Sequence, residues 1–199
     1  MPPLQTKVTI DAQGPSLDRS QSYRELSRLD TDAKGPADRR GATTFGLTGA
    51  NISLKSDFKG GQIVQPGGVI CGWVTAVQVV VLWQEHVRVA SEIVPDSCQD
   101  RAVREHEAKH VSLDRALRST LQRQLTETLQ AKDRFSVMAG NVDEVRAKLQ
   151  SNYTAILQQA VQAFEQTRNP QQIAIDSPQE YARVMAVCGR GSFEALVHS

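Results

Sequence analysis

Six consecutive residues, Glu105-His106-Glu107-Ala108-Lys109-His110, hold the densest run of chemically versatile side chains in the chain. Their order contains H-E-x-x-H. On a helix, residues four apart project from one face, so both imidazoles can hold one zinc ion. Glu107 lies about 100° round the helix from His106. From there its carboxylate can take a proton from a water at the metal's open position. With four histidines and ten glutamates in 199 residues, about 0.004 such matches arise by chance. His106 and His110 are therefore read as metal ligands and Glu107 as a general base.

A catalytic zinc needs a third protein ligand. The glycine and third histidine of H-E-x-x-H-x-x-G-x-x-H are absent here. Asp114 lies on the histidine face, but eight residues of helix rise about 12 Å. A hydrogen bond to His110 suits it better than ligation. If a second helix returns toward the zinc level, Glu165, Asp176 and Glu180 become candidates, and sequence leaves the choice open. Tyr181 is a candidate oxyanion donor if the final helix reaches the site.

The motif must sit on a helix, and the flanking pattern supplies one. Leu113, Leu117, Leu121, Leu125 and Leu129 recur every four residues, and on a helical wheel the histidines share this stripe's side. Gly140-Asn141 marks a stop and restart. Val142 to Phe164 continues at 3- and 4-residue spacing, and Asn169-Pro170 reads as that helix's end. Ser177-Pro178-Gln179-Glu180 is a capping box that opens a short helix to about Val187. Upstream, Ala50 to Leu54 reads as a strand and Lys59-Gly60-Gly61 to Gly68 as a turn-rich loop. Val69 to Leu82 reads as a strand covered on both faces, turning near Trp83-Gln84 into a half-exposed edge strand, Val87 to Ile93. The segment Glu85 to Ile93 is the candidate edge for adding an extended peptide. Residues 1–41 are polar and punctuated by Pro and Gly, which reads as a flexible arm ahead of a single domain, 42–199. The expected fold is α+β: a small antiparallel sheet, then a long αα-hairpin carrying H-E-x-x-H, then a short C-terminal helix.

Composition narrows the partners. A net charge of +1 gives no electrostatic case for nucleic acid. No run reaches the ~18 apolar residues of a membrane span. Oligomeric state is not readable. The first residues lack a charged and then apolar leader, so the chain is expected to be cytoplasmic or a mature fragment with a new start methionine. Cys71, Cys98 and Cys188 show no C-x-x-C spacing. If the two strands form a hairpin near Trp83, position 71 falls opposite about 96. A Cys71–Cys98 bridge is then expected in oxidising conditions, with Cys188 free.

The motif on a helix after a sheet resembles the zincin metallopeptidases. The order Cys71, paired strands, Ser97-Cys98, Glu105 to Val111, helices, then Ile175-Asp176-Ser177-Pro178-x-Glu180-Tyr181 and Cys188 is similar to small bacterial proteins, usually exported, described as zinc peptidases. The resemblance covers about residues 45–190. It implies a bacterial source, zinc at His106 and His110, Glu107 as base, a peptide or protein substrate, and export with a disulfide. The location would be periplasmic or secreted if a leader has been removed, and otherwise cytoplasmic. The alternative is a non-catalytic zinc-binding or interaction module on the same fold.

Overall fold

The structure is a computed structural model and describes residues 4–34, 43–131, 136–189 and 191–197. The elements in chain order are β1 (Gln5–Ala12), β2 (Ser16–Asp18), α1 (Tyr23–Lys34), β3 (Gly46–Val64), β4 (Ile70–Val89), α2 (Cys98–Gln130), β5 (Ser136–Ala139), α3 (Val142–Ile175), α4 (Pro178–Ala186) and α5 (Glu194–Val197). Contacts divide them into two compact units. One holds Met1–Ala12, Ile52–Trp83 and Leu117–Arg168, and the other Gln13–Asn51, Gln84–Ala116 and Asn169–Ser199.

The mixture of helix and sheet is as expected, but the antiparallel sheet is not. β1 runs parallel to β4, with Gln5 opposite Ala76 and Ala12 opposite Trp83. β2 also runs parallel to β4, with Leu17 opposite Val87. β5 pairs antiparallel, with Cys71 opposite Met138, and β3 also pairs with β4. The parallel pairings come from residues 5–18, inside the stretch read as an arm. That stretch also supplies α1, whose Leu26 is fully buried. Gly35-Pro36, near the expected domain boundary, lies outside the described residues.

In the first unit β4 is deeply buried: Val77, Val79, Val81 and Trp83 are each at most 1% exposed. The four-residue stripe of α2 covers this core through Leu121, Leu125 and Leu129, all at 0%, each contributing about 2 kcal/mol by burial. Tyr153, Leu157 and Phe164 of α3 join them, with Phe164 edge-on to Trp83 at 5.8 Å. Gly60 and Gly61 mark no loop. β3 continues to Val64, because a Cβ on Gly61 would stand 2.7 Å from the Trp73 ring. These glycines permit close strand approach. The turn comes later, at Gln65 to Val69, closed by Gln65 N–H to the Val69 carbonyl.

The expected turn at Trp83-Gln84 does not exist. β4 is one strand of 20 residues, and its last part is covered by β2. The expected separate edge strand is therefore the end of β4, paired with β2 at His86–Arg88 and stopping at Val89 short of Ile93, and the hairpin that would bring Cys71 opposite position 96 is absent. In the second unit Cys98, the first residue of α2, is bonded to Cys188, with α-carbons 5.7 Å apart, and Cys71 is the free thiol. The core of this unit gathers Leu26, Phe45, Val89, Ile93, Val103, Val184 and Phe193.

α3 does not end at Asn169-Pro170 but runs through Pro170 to Ile175. Pro170 forfeits its N–H bond and crowds the carbonyl four residues back, yet the following turn is helical and makes the contacts described next. The restart at Gly140-Asn141 stands: Asn141 Oδ1 accepts from Glu144 N–H at 2.8 Å. Of the capping box one half is shown, Ser177 Oγ accepting from Glu180 N–H at 3.2 Å, while the Glu180 carboxylate turns to His106, Lys109 and Arg183.

Candidate metal centre

The site lies in the second unit. Its α2 part buries every fourth residue, His106 at 6%, His110 at 5% and Asp114 at 0%. Leu113 is only half-buried, so aspartate takes the inward place that the stripe would give to leucine. Opposite stand the last turn of α3 and the first of α4. Asp176 occupies the junction between them and is 3% exposed.

Three donor atoms converge. Asp176 Oδ1 is 3.0 Å from His106 Nε2 and 3.0 Å from His110 Nε2, and the two Nε2 atoms are 3.3 Å apart. Donors about 2.0–2.1 Å from a tetrahedral ion are separated by about 3.3 Å, so the triangle has the right size. His106, His110 and Asp176 thus form a group able to hold a metal ion.

The opposite edges of the rings fix their protonation. His110 Nδ1–H donates to Gln172 Oε1 at 2.6 Å. The amide of Gln172 cannot be reversed, because its Nε2 donates to Asp114 Oδ1 at 2.5 Å. His106 Nδ1–H donates to Glu180 Oε1 at 3.3 Å. Glu180 is gripped in turn by Lys109 Nζ at 2.7 Å and by Arg183 Nε and Nη2 at 3.0 and 2.8 Å. The Arg183 hydrogen bond, first of all, and those of Lys109 and His106 outweigh burial and hold the Glu180 carboxyl well below the usual range. With both Nδ1 atoms committed as donors, the neutral rings turn bare Nε2 lone pairs toward an anionic oxygen. Such a triad is repulsive unless a cation lies among it.

Burial works against a charge on His106, yet the Asp176 hydrogen bond, the Glu107 charge and the Glu180 bond prevail and raise its pKa.

Glu107 is 3% exposed. Burial, opposed by the neighbouring histidines and Thr48, raises its pKa above the carboxylate norm. Thr48 Oγ1 of β3 donates to its Oε2 at 2.7 Å. Gly46, two residues earlier, lets the strand approach. A Cβ there would overlap Glu107 Oε1 and stand 2.5 Å from Val103 Cγ1. Beside His106 and Glu107 is a cavity of ≈ 30 Å³, walled by Thr43 to Gly46, Tyr181, Val184, Met185 and Phe193. It has room for one or two waters.

Of the candidate third ligands, the structure brings Asp176 into the donor triangle. Glu180 lies behind His106. Glu165 is 3.1 Å from Arg168 and is not in the converging group. Asp114 accepts from Gln172 Nε2, and Gln172 Oε1 accepts from His110 Nδ1–H, so the amide links the two. Tyr181 packs its ring against His106 at 5.9 Å. Sequence reasoning missed Gln172. Its one signal is the four-residue spacing to Asp176, which matters only if the helix survives Pro170. Compared with known proteins, the chain matches no family model, no curated protein and no solved structure.

Proposed function

We propose that this chain is a zinc-dependent hydrolase that cleaves peptide amide bonds. The observation that carries the reading is the convergence of two imidazole Nε2 atoms and Asp176 Oδ1 at 3.0–3.3 Å, beside the buried carboxyl of Glu107. His106, His110 and Asp176 would hold zinc, whose donor preference they meet with two imidazoles and one carboxylate. Bound there, zinc supplies a Lewis acid and makes a nearby water more acidic. Glu107, held by Thr48, accepts the proton of that water and returns it to the leaving amine. Its raised pKa suits both directions of transfer. Glu180 and Gln172 keep the imidazoles in the tautomer that presents Nε2.

Glu107→Gln tests the assignment. It keeps shape and removes the base, so zinc content and melting temperature hold while hydrolysis of a peptide library falls at least ~10²-fold. If Glu107→Gln lost zinc as His106→Ala does, Glu107 would belong to the coordination framework.

The second reading is a non-catalytic zinc module. What favours it is enclosure: His106, Glu107, His110 and Asp176 are each at most 6% exposed, and the adjoining cavity admits only water. A fourth protein ligand on bound zinc, or no hydrolysis by the zinc-loaded chain, would decide for it. The disulfide fits an oxidising compartment, and hence export.

A further inference from the structure

The enclosure has an identifiable agent. Among the cavity's walls stands Phe193, fully buried, its ring 5.2 Å from that of Phe45. Phe193 follows Gly189 and Gly191, both in the left-handed region at φ 90° and 77°. These glycines let the chain reverse after Cys188 and lay Phe193 back against the site. Hydrogen bonds from neighbouring elements to this segment are long: Gln99 Nε2 to the Ser192 carbonyl at 3.4 Å, and Tyr23 Oη to the Val197 carbonyl at 3.3 Å. Within the segment Ala195 N–H donates to the Gly191 carbonyl and Leu196 N–H to that of Phe193, and Ser192 N–H donates to the Gly189 carbonyl before it. Phe193 is the segment's fully buried member, and Leu196 and Val197 pack against the same core.

The covalent anchor falls just before it. Cys98–Cys188 pins the chain to the start of α2, between Asp176 and Glu180 on one side and Phe193 on the other. Release of residues beyond 188 would leave the donor triangle and the Glu180 clasp in place.

We propose that Gly191–Val197 is a self-ligand of the site. Phe193 fills the berth that an aromatic or large aliphatic side chain of the substrate takes beside Glu107, and the segment leaves when substrate enters. The proposal rests on the hydrolase reading and adds to it a side-chain preference and a built-in restraint. Phe45, Val103, Val184 and Met185 give the berth an apolar side, with Thr43, Thr44 and Tyr181 among its other walls, which matches that class of side chain.

The test uses the full chain loaded with cobalt(II), whose visible bands report coordination. The probes are acetohydroxamate and a hydroxamate bearing a benzyl group. In the parent both should bind weakly. In Phe193→Ala the benzyl probe should bind at least tenfold more tightly than in the parent, the small probe should gain less, and a synthetic peptide of residues 191–197 should compete. Phe193→Leu, which preserves more of the core, should gain in the same order and decides the matter if Phe193→Ala does not fold. Equal affinities in parent and variants, with cobalt bound and circular dichroism intact, would make Phe193 a core residue and overturn the proposal. Absence of cobalt bands in the parent would overturn the metal reading itself, and this proposal with it.

Discussion

His110 donates its Nδ1–H to Gln172 Oε1 at 2.6 Å, a contact that exists only because α3 continues past Pro170. Gln172 in turn spans to Asp114, so one amide orients the imidazole and satisfies a buried carboxylate. Gln172→Leu removes both functions. It should weaken zinc binding about 10–100-fold, the usual effect of losing a ligand's supporting hydrogen bond. Competition with a fluorescent zinc chelator measures this, and unchanged affinity would show that the tautomer is fixed some other way.

Gly46→Ala should damage the base without touching a ligand. The added methyl meets Glu107 Oε1 and Val103, an overpacking that costs about 1–3 kcal/mol. Hydrolysis should fall while zinc stoichiometry holds. A variant as active and as stable as the parent would mean that β3 and Glu107 are less closely apposed.

How much of this could be read from the sequence follows from distance along the chain. His106, Glu107 and His110 share one helical turn, so spacing alone placed them. Asp176 is 66 residues from His110, and sequence left it level with Glu165 and Glu180, because whether a helix crosses Pro170 depends on tertiary contacts. Trp83-Gln84 ends the apolar run and reads as a turn into a second strand, but β4 passes through it unbroken to Val89. That misreading created both the false edge at Glu85 to Ile93 and the false Cys71–Cys98 pairing. The parallel pairing of β1 with β4 joins residues about 70 apart, and β1 itself is locally polar, so residues 5–12 read as part of an arm.

The thiols give a direct check. Native protein should react with one equivalent of a thiol reagent, at Cys71, and peptide mapping should find Cys98 joined to Cys188. Replacing both bridged cysteines by serine should cost about 2–5 kcal/mol of stability in urea. Recovery of a Cys71–Cys98 peptide would refute this arrangement.

Acid stability should depend on Asp100. Burial opposes its ionisation, but hydrogen bonds from Arg19 and the Asp96 amide, with the charges of Arg19 and Arg104, lower its pKa overall. A carboxylate with a depressed folded pKa adds stability that is complete above its unfolded value of about 3.9 and is lost as pH falls below that. Arg19→Met should remove about 2 kcal/mol near neutral pH, less where solvent screens the quarter-exposed arginine. The difference from the parent should shrink below about pH 4. Denaturant melts from pH 3 to 7 that show a constant difference would exclude Asp100 as the group concerned.

The central claim, that His106, His110 and Asp176 together hold zinc, is tested most directly by the stoichiometry and coordination of zinc in the parent and in Asp176→Ala. After loading and desalting, the parent should retain one zinc per chain, with two imidazoles and oxygen ligands in its X-ray absorption spectrum. Asp176→Ala should bind zinc at least ~100-fold more weakly, as loss of one of three protein ligands requires. A parent that retains no zinc, or an Asp176→Ala variant that holds it as firmly, would contradict the account.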